Sequence, residues 1–247
     1  IGNVAIGALA LDAEDDGDFN TAIGYQALTA QTGVSGAVGN TAVGYNSATA
    51  TTIGVYNSTF GYESAKVLTI GRYNTALGWR SLYSDVAGEE TVAVGYGALF
   101  TQDMGDSRVS SKNTGVGVGA GYTNVTGTAN TWLGHEAGKG GAGSNSNNVG
   151  VGANALTAIT TGGSNIAIGF EAGKGIVDSS NNIAIGYQAM LDHVRTDTQN
   201  VAIGNYALDQ TTEDAYNTAV GYQALTAQRN INAGSLEASY NTALRWK

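Results

Sequence analysis

Apolar, small and polar residues recur along the chain in one fixed order, Asn-x-Ala-(Ile/Val/Leu)-Gly-Tyr-x-Ala-Leu, followed by a stretch rich in Thr, Gly, Ser and Asn. Full copies begin at Asn20 and Asn217, and the same order starts at Asn3, Asn40, Asn57, Asn74, Thr91, Asn113, Asn130, Asn148, Asn165, Asn182 and Asn200, with a broken copy at Asn241. Successive starts lie 17, 20, 17, 17, 17, 22, 17, 18, 17, 17, 18, 17 and 24 residues apart. A constant period with occasional insertions is the signature of stacked repeats, each too small to fold alone and stabilised by its neighbours.

Within a repeat, the pattern predicts two short strands, Asn-x-Ala-Ile and Tyr-x-Ala-Leu, with the Gly at the bend between them. Recurrent Gly inside the apolar stretch, with β-branched residues around it, argues against helix. The Gly column is Gly7, Gly24, Gly44, Gly61, Gly78, Gly95, Gly117, Gly134, Gly152, Gly169, Gly186, Gly204 and Gly221. Such a column points to a backbone demand: positive φ, or a neighbouring chain too close for a Cβ. No six-residue subperiod is present, so a three-sided helix of hexapeptides is excluded and a flat two-sided coil is expected. The first strand is apolar on both faces, Ala on one and Ile, Val or Leu on the other, as in strands covered from both sides. The second alternates polar with small residues and is expected to face water. One chain covers only one face of the inner strand, so copies of the same chain around an axis are the economical cover. At about 4.8 Å per rung the repeats make a rod roughly 60 Å long.

The Asn-Thr-Ala-Ile-Gly-Tyr-Gln-Ala-Leu unit resembles the head repeats of trimeric autotransporter adhesins and the arrays of phage tail-fibre and related bacterial surface proteins. The resemblance spans Asn3 to Leu244. It implies an all-β, left-handed parallel β-roll solenoid of about 13 repeats, an intertwined homotrimer, and attachment to a host or cell surface through a glycan or protein receptor. Tyr after the Gly, and Gln-Ala-Leu, stand nearer the tail-fibre arrays; adhesin heads have Ser-Val-Ala-Ile-Gly and shorter spacing. The expected setting is extracellular or on a virion surface. The expected organisation is one repeat domain over residues 1–247, a segment of a longer fibrous chain.

Composition narrows the rivals. Pro is absent although Gly numbers 37, which excludes collagen, and 42% hydrophobic residues argue against disorder. Without cysteine there is no disulfide, thiolate metal site or cysteine nucleophile. A net charge of −9 disfavours nucleic acid, and no apolar run is long enough to insert in a membrane as a helix. An enzyme is not expected, nor a cofactor: the two histidines, His135 and His193, lie in no Ser-His-Asp or metal-ligand spacing. Gly115-Val116-Gly117-Val118-Gly119-Ala120-Gly121 lacks the Gly-Lys-Ser/Thr ending of a phosphate loop and is the repeat in register. Asp12, Glu14 and Asp16 fall in a run like the start of a calcium loop, but its twelfth position is Ile23; a solvated acidic turn is the favoured reading. Asn57-Ser58-Thr59 and Asn124-Val125-Thr126 match glycosylation sequons.

The aromatic column Tyr25, Tyr45, Tyr62, Trp79, Tyr96, Phe170, Tyr187 and Tyr222 reads as packing between rungs, with a sugar platform as the lesser alternative. Insertions fall at Gln31–Gly39, Phe100–Lys112 and Thr226–Tyr240. Repeats carry insertions on loops, often on the binding face, so Phe100, Gln102, Asp103, Met104 and Arg108 are the candidate receptor contacts. Two other functions share the pattern: a self-assembling extracellular filament, and a monomeric solenoid binding ice or glycan. Ice binding needs a flat exposed Thr array, whereas Val4, Val149, Ile166, Ile183 and Val201 alternate with Thr in that column.

Overall fold

The computed structural model describes residues 2–32, 36–192, 199–210, 215–226 and 240–245. It is an all-β, left-handed parallel solenoid, and no helix occurs among the described residues. Fourteen three-residue strands, from Val4–Ile6 to Thr242–Leu244, form one sheet in which each strand pairs with the next repeat. Counting each repeat from its Asn as position 1, the strands occupy positions 2 to 4. Every position pairs with its own equivalent: Ala22 with Ala42, Ile168 with Ile185. Register survives the insertions, since Val92–Val94 pairs with Thr114–Val116 and Thr218–Val220 with Thr242–Leu244. Extra residues are therefore looped out between strands.

The strand's alternation sets the core. Position 3 points inward and is fully buried as Ala in most rungs, with Thr59 and Trp132 also in the column. Positions 2 and 4 point outward and stay half-exposed or exposed. Among the described residues nothing lies over the sheet's outer face, so one chain alone leaves position 2 open.

Position 1 turns inward: at the two ends Asn3 is exposed and Asn241 half-buried, while its Asn is buried in every rung from Asn20 to Asn217. Its side-chain oxygen accepts the backbone N–H of the next rung's Asn, as at Asn57 to Asn40 (2.8 Å) and Asn182 to Asn165 (2.9 Å). Its amide nitrogen donates across the coil to the carbonyl of position 15, as at Asn57 to Gly71 (2.9 Å) and Asn148 to Gly162 (3.0 Å). An amide offers both an acceptor and two donors, so one side chain closes its own coil and locks the next.

The Gly column answers to both physical causes foreseen. In all thirteen positions φ lies between 124° and 139°. A Cβ built on Gly78 would sit 2.5 Å from the carbonyl oxygen of Gly95. The close neighbour is the next rung of the same chain.

Tyr-x-Ala-Leu is not a strand, which corrects the reading from sequence. Positions 7 and 9 are left-handed, as at Gln26 (φ 54°) and Leu28 (φ 51°), and the segment is a tight turn. Its hydrogen bonds alternate in direction: Gln26 N–H donates back to Ala8 and Leu28 N–H forward to Ser47. Nor does it simply face water, since position 8 and most of position 9 are buried and complete the core against the Ala column.

Candidate binding surface

Three exposed features have enough shape to bind something. The first is the outer face of the sheet. Position 4 places Ile6, Phe60, Leu77, Leu133, Ile168 and Ile203 in one row, each 38–59% exposed. This row forms an apolar stripe along the rod; position 2 beside it widens the stripe at Val4, Val92, Val149, Ile166, Ile183 and Val201 and is Thr or Ser in the other rungs. Monomeric proteins seldom leave so continuous an apolar surface uncovered.

The second is the aromatic column at position 6. Tyr25, Tyr45 and Tyr62 stack at 5.4 and 5.1 Å, Trp79 on Tyr96 at 4.4 Å, and Phe170 on Tyr187 at 5.4 Å, with planes within 15°. Tyr222 meets Tyr206 edge-on at 6.1 Å. These rings spend their faces on one another and turn edges to solvent, and Arg80 sits over Trp79 at 4.6 Å. A sugar platform needs free faces, so the geometry favours packing between rungs. Parallel ladders recur at position 17 (Tyr56 on Tyr73, 5.6 Å) and position 10 (Tyr83, Phe100, Tyr122; 5.1 and 4.9 Å).

The third is the insertion at Phe100–Lys112. Its candidate contacts divide. Phe100 lies inside the position 10 ladder. Gln102 is fully buried, its amide bonded to Asp85, Thr91 and Asn113. Asp103 stays on the coil, bonded through N–H to Val125, while its carboxylate caps Gly105. The excursion proper is Met104 to Arg108. Arg108 is exposed and reaches back to the Ile70 carbonyl at 3.0 Å and to Glu89 at 3.7 Å. Val109–Ser110 then resumes the coil by pairing with Gly88–Glu89. The first insertion likewise returns to the rod, with Gly36–Ala37 on Gly17–Asp18. Of the third, residues 227–239 lie outside the described residues, as does His193.

The remaining candidates are placed as follows. Asp12 and Asp16 are exposed, and the Glu14 carboxylate accepts the backbone N–H groups of Asp16 and Gly17. Among the described residues no three His, Asp or Glu groups converge to hold a metal ion. His135 is exposed in the position 6 column. Asn57 and Asn124, the acceptors of both sequons, are buried, and Asn57 is a ladder residue.

Charge lies in small clusters on the turn side. Burial would raise the Glu63 carboxyl, but bonds from Lys66 and Arg80, each 2.7 Å, outweigh it and hold the group below its ordinary range. Glu136 and Glu171 are lowered by Lys139 and Lys174 three residues on. Asp85 is the opposite case: buried, and pushed upward by desolvation.

The network around Asp85, Thr91, Gln102, Ser111 and Asn113 was not foreseen from sequence. Its signal was available: Thr91 is the one start without Asn, and the longest interval before the final repeat follows it. No protein-family model matches the sequence, and no curated protein matches it at a significant level.

Proposed function

We propose that this chain is a structural and adhesive segment of a fibre, a phage tail fibre or a bacterial surface adhesin, that attaches its bearer to a host or cell surface. In this reading three copies wind side by side, each covering another's outer sheet face. The observation that carries it is the apolar stripe of position 4, widened where position 2 is Val or Ile, which one chain leaves open along its whole described length. A second copy has the same rung spacing and the same stripe, so it matches rung for round, which no irregular partner surface does. The mechanism is mechanical. Every turn is tied to the next by backbone bonds and the buried Asn ladder, giving a stiff rod, and three loops presented together turn weak contacts into avidity. The Met104 to Arg108 excursion is the receptor contact, and a glycan or protein on the outside of a cell is the ligand class.

Light scattering coupled to gel filtration tests the assembly. A mass of three chains is expected; a mass of one chain at all concentrations sinks the trimer and moves the reading to a monomeric solenoid. Adhesion of the purified rod to whole cells, with and without Arg108→Ala, tests the contact.

A further inference from the structure

The Asn ladder is relayed at one place, and a buried acid stands there. Thr91 donates its N–H to Asn74 Oδ1 (3.0 Å), as each ladder residue does, but has no side-chain amide to extend the ladder. Ser111 steps in, its hydroxyl 2.5 Å from that of Thr91 and accepting the Asn113 N–H at 3.4 Å. Gln102 ties the relay together, donating to Thr91 (3.1 Å) and Asp85 (2.7 Å) and accepting from Asn113 (2.9 Å).

Asp85 is fully buried and its carboxylate meets only donors: Gln102 Nε2, Gly88 N–H at 2.9 Å and Met104 N–H at 3.3 Å. An ionised acid suits that shell. A protonated one keeps a lone pair for each of the three donors but loses the charge that strengthens those bonds, so the weakest of them is the first to yield. The Gly88 bond closes a local turn, and Gln102 is held by two further partners. The Met104 bond is the longest of the three, and Met104 is the first residue of the exposed excursion. Of the charged groups nearby, Asp103 acts on Asp85 and repels it, while Arg72 and Arg108 are engaged with Glu89 at 2.9 and 3.7 Å.

We infer that Asp85 is a proton-operated latch for the inserted loop: ionised, it pins Met104 to the rod, and on taking a proton from solvent it releases that end while Arg108 keeps the other tethered. Burial moves the group's titration upward from its ordinary value. The sign is that of a raised acid. Its burial costs stability at neutral pH, and the fold recovers that contribution as pH falls through the raised value toward the ordinary 3.8. Acidification therefore loosens the loop without loosening the rod through this group. The consequence for attachment rests on the function proposed above; the latch does not.

Hydrogen exchange read by mass spectrometry on the whole chain, corrected for intrinsic rates, from about pH 7.5 to about pH 4 tests it. Exchange at the Met104 amide is expected to rise about tenfold, the scale of one net hydrogen bond, while the strand amides keep their protection. The same step is expected in Asp103→Asn and is absent from Asp85→Asn. No step in the wild type, loss of it in Asp103→Asn, or its persistence in Asp85→Asn overturns the inference. If Asp85→Asn does not fold, the wild type and Asp103→Asn decide. No receptor enters this experiment, so its failure leaves the attachment reading standing, and failed adhesion leaves the latch standing.

Discussion

At the scale of single residues, one side chain and one missing side chain specify the coil. The missing one is the Cβ of the Gly column, where the backbone is in a region that L-residues avoid and the next rung's carbonyl fills the space. Gly78→Ala adds a methyl that neither torsion nor neighbour can accommodate. It is expected to destabilise the rod by about 3 kcal/mol or more, since strain of this kind alone costs 1–3, read as a lowered urea midpoint. The Asn at position 1 is fixed by its dual chemistry, because neither Asp nor Leu both accepts from one rung and donates across the coil. Trp132 shows how the core absorbs an exception. It stands in the Ala column, and its ring takes the space left by Gly121, Gly138 and Gly150, where a Cβ would meet the indole.

At the scale of the repeat, the governing feature is the set of left-handed residues at positions 7 and 9 and at the last residue before the next repeat, found beside the Gly wherever those positions are described. No Val, Ile or Thr occupies any of these columns, although all three are common elsewhere in the chain. A β-branched side chain is the one least tolerant of positive φ. Gln188→Val, at a half-exposed position with φ 53°, is thus expected to cost about 1–3 kcal/mol where Gln188→Gly is near neutral, as thermal unfolding of the two variants shows. That exclusion was present in the sequence, and it separates turn from strand. The alternation Tyr-Gln-Ala-Leu mimics a strand because left- and right-handed residues alternate with the same period of two. The period, the solenoid, the parallel register and the Gly column were legible because each is a property of the repeat. Buried Gln102 was not, since its inward direction depends on a coil position that an insertion conceals. The division of the insertion into a seated part and an excursion is likewise set by pairing between rungs.

At the scale of the whole molecule, the inward and outward faces of one sheet make separate demands. Position 3 and the Asn ladder hold a single chain together without help from positions 2 and 4. The outer stripe therefore contributes little to the coil and is free to serve association, so the two can be dissected. Ile168→Asp places a charge in the middle of the stripe, outside the core. A single chain should keep its β-signal in circular dichroism, with stability changed by less than about 0.5 kcal/mol as for an ordinary surface site. A buried, unpaired carboxylate repeated around an axis is far costlier, so the mass by light scattering should fall from three chains to one. Charge adds a check on the same experiment: at −9 per chain, neighbouring rods repel, and added salt should strengthen their association by screening. An Ile168→Asp rod that still sediments as three chains would place the interface on another face and leave the stripe to a different partner.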